Sequence, residues 1–152
     1  MPETPEKDIQ AAVIGFYGYS DSGKTTLIER LIGDLRAEGL RVAAVKVSEQ
    51  ALSLDQPGKD SDRYAKAGAN GVALAGRAES GFRFPERLAL RDILRVLQDV
   101  SAPQVILVEG AEDDFVPKVR LGEKELRPNT LWTYDGDYDR LMEMIHDMIK
   151  KE

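Results

Sequence analysis

The run Gly18-Tyr19-Ser20-Asp21-Ser22-Gly23-Lys24-Thr25 fits the pattern G-x-x-x-x-G-K-[ST] at every position. These residue types suit one task, holding the phosphate chain of a nucleotide. Glycines let the backbone wrap closely and turn several N–H groups toward anionic oxygens. A helix starting near Lys24 would aim the positive end of its dipole at the same anion. On this reading Gly18, Ser20, Asp21, Ser22, Gly23, Lys24, Thr25 and Thr26 form the nucleotide-binding set. Lys24 is the cation for the β- and γ-phosphates, the Thr25 hydroxyl is a ligand for Mg²⁺, and Thr26 supports the α-phosphate region. The pattern specifies phosphate and leaves the reaction open, because kinases, GTPases and ATPases share it.

A site of this kind needs an acidic residue at the end of a neighbouring strand, touching Mg²⁺ directly or through water. Glu109 closes the apolar run Val105–Val108 and is the expected carboxylate, with Asp113 and Asp114 just beyond in a solvated loop. Asp60 follows the stop Pro57-Gly58, and it either caps a short helix or joins the metal site. Lys46 ends another apolar run and either reaches the nucleotide or extends to solvent. Arg77 and Arg83 lie in a glycine-bearing stretch that is either a solvated loop or a lid over transferred phosphate. His146, the single histidine, falls in a terminal helix away from these groups.

The elements that must position these groups follow from periodicity. Ala11–Tyr17 is a nearly continuous apolar run, the mark of a strand buried on both faces. Leu27, Ile28, Leu31, Ile32 and Leu35 make one helical stripe over 24–38, and Gly39 stands where a helix would stop. Leu40–Val47 reads as a second strand, Asp60–Ala67 as a short helix, Gly71–Ala75 as a third, apolar strand and Gly76–Arg83 as a loop. Pro85 suits the first position of a helix with Leu90, Ile93, Leu94 and Leu97 on its buried face. Gln104–Glu109 reads as a fourth strand, Pro117–Leu121 and Thr130–Tyr134 as weaker ones, and Tyr138–Lys150 as a closing helix. Alternation of strands and helices predicts an α/β fold with a mostly parallel sheet flanked by helices.

Composition narrows the function class. The 152 residues predict one domain over 11–152 after a polar, unstructured lead-in at 1–10. Cysteine is absent, which excludes thiolate zinc sites, iron–sulfur clusters and a cysteine nucleophile. A net charge of -6 argues against a broad nucleic-acid surface. No apolar run has the length of a membrane span, and no basic, apolar leader opens the sequence. A cytoplasmic protein with no membrane or nucleic-acid partner is expected.

The chain resembles the MobB family, molybdopterin-guanine dinucleotide biosynthesis protein B. The resemblance is carried by GYSDSGKTTLIERLI, by VAAVK ending at Lys46, by LDQPGKDSDRYAKAGA over Leu54–Ala69, and by LVEG and PKV at Leu107–Gly110 and Pro117–Val119. It implies a three-layer P-loop NTPase fold, binding of GTP with Mg²⁺, weak hydrolysis and a homodimer. The partner it implies is a molybdopterin guanylyltransferase or a molybdoenzyme. Lys24, Asp60 and Glu109 would then be catalytic, with Thr25, Asp60 and Glu109 at the metal; Lys118 sits in a family-like segment without an assigned role. The sequence departs from the family at Val47-Ser48-Glu49-Gln50, where histidines are usual, and at Ala111-Glu112, where an aromatic and a lysine are usual. It carries no N-K-x-D element to read guanine, so GTP over ATP rests on the resemblance. A small-molecule kinase using Arg77, Arg83 and Arg87, or a nucleotide-dependent switch with negligible turnover, are the competing expectations.

Overall fold

Residues 9–54 and 56–151 are described by the computed structural model; residues 1–8 of the expected lead-in, Asp55 and Glu152 lie outside the described residues. The apolar run after Gln10 forms β1 (Ala12–Gly18), and the helical stripe forms α1 (Lys24–Ala37). Next come β2 (Val42–Lys46), α2 (Asp60–Lys66), β3 (Val72–Ala75), β4 (Ser80–Arg83) and α3 (Leu90–Ser101). The chain closes with β5 (Val105–Glu109), β6 (Lys118–Leu121), β7 (Thr130–Thr133) and α4 (Tyr138–Lys150).

Five of these strands form one sheet in the order β2-β5-β1-β6-β7, and every neighbouring pair in it is parallel. The mostly parallel sheet flanked by helices is the expected architecture. Ala12, Ile14 and Phe16 of β1 and Val105 and Leu107 of β5 meet Leu27, Leu31 and Leu35 of α1 and Leu141 and Ile145 of α4 in one buried cluster. The register sets Phe16 and Lys46 on either side of Glu109, so β1, β5 and β2 end abreast. In α4, Asp137 caps the first turn by accepting from the Arg140 N–H, and His146 Nε2 meets Oε1 of Glu38, the residue after α1, at 2.7 Å. Trp132 of β7 stands edge-on to Tyr134 at 5.7 Å between ring centres, with the Arg140 guanidinium 5.1 Å from its ring.

The two weaker strand candidates are β6 and β7, and their parallel pairing is unusual. Only residues 122–129 separate them, where a parallel crossover commonly takes about a dozen residues or more. Side chains hold this short return. The Tyr17 hydroxyl accepts from the Arg127 backbone N–H at 3.0 Å and lies 2.6 Å from Thr130 Oγ1. Arg120 Nη1 donates to the Lys124 carbonyl at 3.0 Å, and Arg127 Nη1 to the Ala111 carbonyl at 3.2 Å. Lys118 is fully buried, and its ammonium donates to the carbonyls of Asp113, Val116 and Pro128. Burial pushes this ammonium below its usual pKa, with the charge of Asp113 acting against that shift.

Internal contacts divide the chain into two units, one made of residues up to Val47 with those from Leu94 onward, the other of Ser48–Ile93. The second unit corrects three expectations. Gly71–Ala75 does not join the parallel sheet: β3 pairs antiparallel with β4, and that hairpin replaces the expected loop at 76–83. Its apolar residues are not core, since Leu74 and Phe82 are 63% and 50% exposed. The third helix begins at Leu90 instead of Pro85, and its first bonds are drawn to the Ala89 carbonyl. In the segment before it, Arg87 reaches the Ser48 carbonyl at 3.0 Å and the Glu49 carboxylate at 3.6 Å.

Candidate functional site

The loop after β1 is shaped by its glycines. A Cβ on Gly18 would lie 2.5 Å from the Leu121 carbonyl oxygen and 2.7 Å from Ser22 Oγ, distances no real side chain tolerates. Gly23, at the N-terminus of α1, has φ of 92°, a left-handed conformation in which glycine carries no steric penalty. The loop closes on itself through Ser22 N–H to Tyr19 O at 3.1 Å. Lys24 Nζ folds over it, donating to Gly18 O and Tyr19 O at 2.9 Å each. An ammonium has three donors, so one remains for another acceptor. Ser22 Oγ is buried with no hydrogen-bond partner among the described residues. That hydroxyl suits a site receiving an oxygen-rich ligand, since a buried unsatisfied polar group costs about 1–3 kcal/mol.

Loop and strand ends enclose a cavity of about 370 Å³, lined by Ser20, Asp21, Gly23, Lys24, Thr25, Thr26, Lys46 and Glu109. The sheet explains why these groups meet. Parallel strands deliver their C-terminal ends to one edge, where open α/β sheets bind ligands. Glu109 is 14% exposed at its side chain and Lys46 is 65% exposed, with Nζ 3.8 Å from Glu109 Oε2. The backbone at this edge is held firmly: Val47 N–H donates to Glu109 O at 2.8 Å, and Gly110 N–H to Phe16 O at 2.9 Å. Gly110 has φ of 89°, and a Cβ there would lie 2.3 Å from the Val47 carbonyl oxygen.

A hydroxyl at Thr25 and a carboxylate at Glu109 are hard oxygen donors on one cavity, and they fit Mg²⁺. That ion keeps several waters and takes few protein ligands. Among the described residues no cluster of three or more carboxylate or imidazole groups forms a dedicated metal cage. Thr25 and Glu109 would hold the ion, and the chemistry it would supply is neutralisation of phosphate charge.

Asp60 is not among the residues that line this cavity. It belongs to the second unit, where it lines a cavity with Leu54, Gln56, Gly58, Lys59, Ser61 and Leu74. It is the first residue of α2, the cap position is Lys59, and no side chain caps the helix, so the capping alternative for Asp60 is not realised. The buried acid of that unit is Asp62, two residues on. Its carboxylate accepts from the Gly58 N–H at 3.1 Å and pairs with Lys66 at 2.8 Å and Arg83 at 3.1 Å. The Lys66 hydrogen bond, with those of Gly58 and Arg83, lowers the Asp62 pKa to about 2. The i,i+4 spacing of Asp62 and Lys66 was readable in the sequence; the Arg83 contact depends on a hairpin that periodicity did not show. Arg83 is therefore engaged inside its own unit.

The family profile described as molybdopterin guanine dinucleotide synthesis protein B (MobB) matches residues 13–147. A molybdopterin-guanine dinucleotide biosynthesis adapter protein of Haemophilus influenzae is 37% identical over 119 residues, covering 77% of this chain and 66% of that protein. The Escherichia coli adapter protein of the same name is 34% identical over 113 residues, covering 72% and 64%. The match thus spans just under two thirds of the length of these relatives. Among solved structures, the crystal structure of Bacillus subtilis MobB superposes with a TM-score of 0.72 over 93% of this chain and 99% of that chain. At 24% identity that likeness speaks for the fold. With nearly its whole described length matched by the family profile, this chain belongs to the MobB family.

Proposed function

We propose that this chain is a Mg²⁺-dependent GTP-binding adapter with weak GTPase activity, working as a homodimer in molybdopterin guanine dinucleotide biosynthesis. One observation carries the reading: the cavity that unites Lys24, Thr25 and Glu109 in a chain of this family. Lys24 and the loop N–H groups hold the β- and γ-phosphates, and Thr25 and Glu109 hold the metal beside them. The adapter role follows the names of its relatives, and the guanylyltransferase or molybdoenzyme it would serve is the partner that the family resemblance implies. A kinase reading has lost support, because Arg83 is engaged by Asp62 and Arg87 by Ser48 and Glu49.

Calorimetric titration of GTP, ATP and GDP, with and without Mg²⁺, tests the proposal alongside a steady-state hydrolysis assay. Lys24→Ala is expected to weaken triphosphate binding by roughly 10- to 100-fold, the value of a charge-assisted contact of about 1.5–3 kcal/mol. Binding and turnover both unchanged in that variant would sink the reading. Sedimentation equilibrium reads the homodimer.

A further inference from the structure

Lys46 is the second cation of the cavity, and neither the fold nor the packing requires it. It is the last residue of the edge strand β2, side by side with Glu109 in the parallel register. Its side chain is 65% exposed, and among the described residues its ion-pair partner is Glu109, at 3.8 Å. That distance is beyond hydrogen-bond length, so the ammonium keeps its donors. Lys24, by contrast, spends two donors on the loop carbonyls of Gly18 and Tyr19. Both lysines face one cavity that also holds Thr25 and Glu109.

We propose that Lys46 binds the terminal phosphate of a nucleoside triphosphate, giving up Glu109 as it does so and leaving that carboxylate to the metal. The proposal rests on the triphosphate reading of the loop. Its logic is charge exchange. Before binding, Lys46 and Glu109 neutralise each other loosely across two strand ends. A metal–triphosphate complex offers each of them a partner of opposite sign, and both new contacts lie in the cavity they already line. A diphosphate lacks the group that Lys46 would take, so the residue would distinguish triphosphate from diphosphate.

The test is calorimetric titration of the full chain with GTP, GDP, ATP and ADP, each with Mg²⁺, for wild type, Lys46→Met and Lys46→Arg. The expected result is that Lys46→Met loses roughly 10- to 100-fold in triphosphate affinity and less than about twofold in diphosphate affinity. Lys46→Arg, which keeps the charge, is expected to restore most of the discrimination. Thermal unfolding of Lys46→Met should match wild type, since the side chain is exposed. Equal losses for triphosphate and diphosphate would overturn the proposal, as would no loss at all. A wild-type chain that binds none of the four nucleotides would fail earlier, at the loop reading itself, and that outcome is distinct from a Lys46-specific failure.

Discussion

Gly18 has no room for a side chain, because the Leu121 carbonyl sits 2.5 Å from where a Cβ would be. Gly18→Ala must therefore push β6 or the phosphate loop aside. The expected cost is roughly 1–3 kcal/mol, as for other overpacked sites, with weaker nucleotide binding; chemical denaturation and titration read the two effects, and an unchanged midpoint would mean that β6 yields freely. Lys118→Met should be more severe. It removes the donor shared by the carbonyls of Asp113, Val116 and Pro128 and is expected to cost at least about 2 kcal/mol. Asp62 gives a pH signature. Its carboxyl pKa is held at about 2, against 3.8 ordinarily, so its stabilisation is complete above the ordinary value and is lost as pH falls through about 2. Amide-exchange protection factors at 58–66 and 80–83 should hold down to about pH 4 in wild type, fall below that, and be lower at neutral pH in Asp62→Asn. The strand, glycine turn and helix around Gly18–Thr25 were legible because pattern and context fell within one stretch of chain. Lys118 and Asp62 were not: a lysine in a short strand does not announce that three nearby carbonyls will close round its ammonium, and Arg83 reaches Asp62 only through a hairpin that periodicity did not show.

Elements with long, periodic apolar faces, β1, α1, β5 and α4, were readable directly from the sequence. The hairpin was not. The segment Gly71–Ala75 has the composition of a buried strand, yet among the described residues β3 pairs with β4 alone and leaves Leu74 in solvent. A run of four or five apolar residues does not say whether a sheet covers it. Pro85 illustrates a related limit: proline fixes its own φ, but a helix also needs the following residues to turn, and Arg87 is drawn to Ser48 and Glu49. The short return between β6 and β7 has a testable weak point. Arg127 joins it to Ala111, and its guanidinium lies 4.9 Å from the Tyr17 ring. Arg127→Ala is expected to speed amide exchange across 122–129 at least tenfold while leaving β1 and β5 protected. Equal exchange in both proteins would show that Tyr17 and Lys118 suffice to hold the return.

Across the whole chain, the parallel sheet and the hairpin are unequal in means. β1 and β5 are buried almost throughout, while β3 and β4 are mostly exposed. Two-stranded sheets alone are marginal in water. The single tryptophan of the sequence turns this inequality into something visible. Trp132 is in β7, beside Tyr134 and Arg140, and all three belong to the unit of the parallel sheet. Its emission thus reports on the unit to which it belongs, whereas far-ultraviolet dichroism sums over both. Denaturant curves recorded by the two signals should separate if the hairpin unit melts first and coincide if the chain unfolds in one step. With no label attached, the lone indole gives the unit of the parallel sheet its own optical signal.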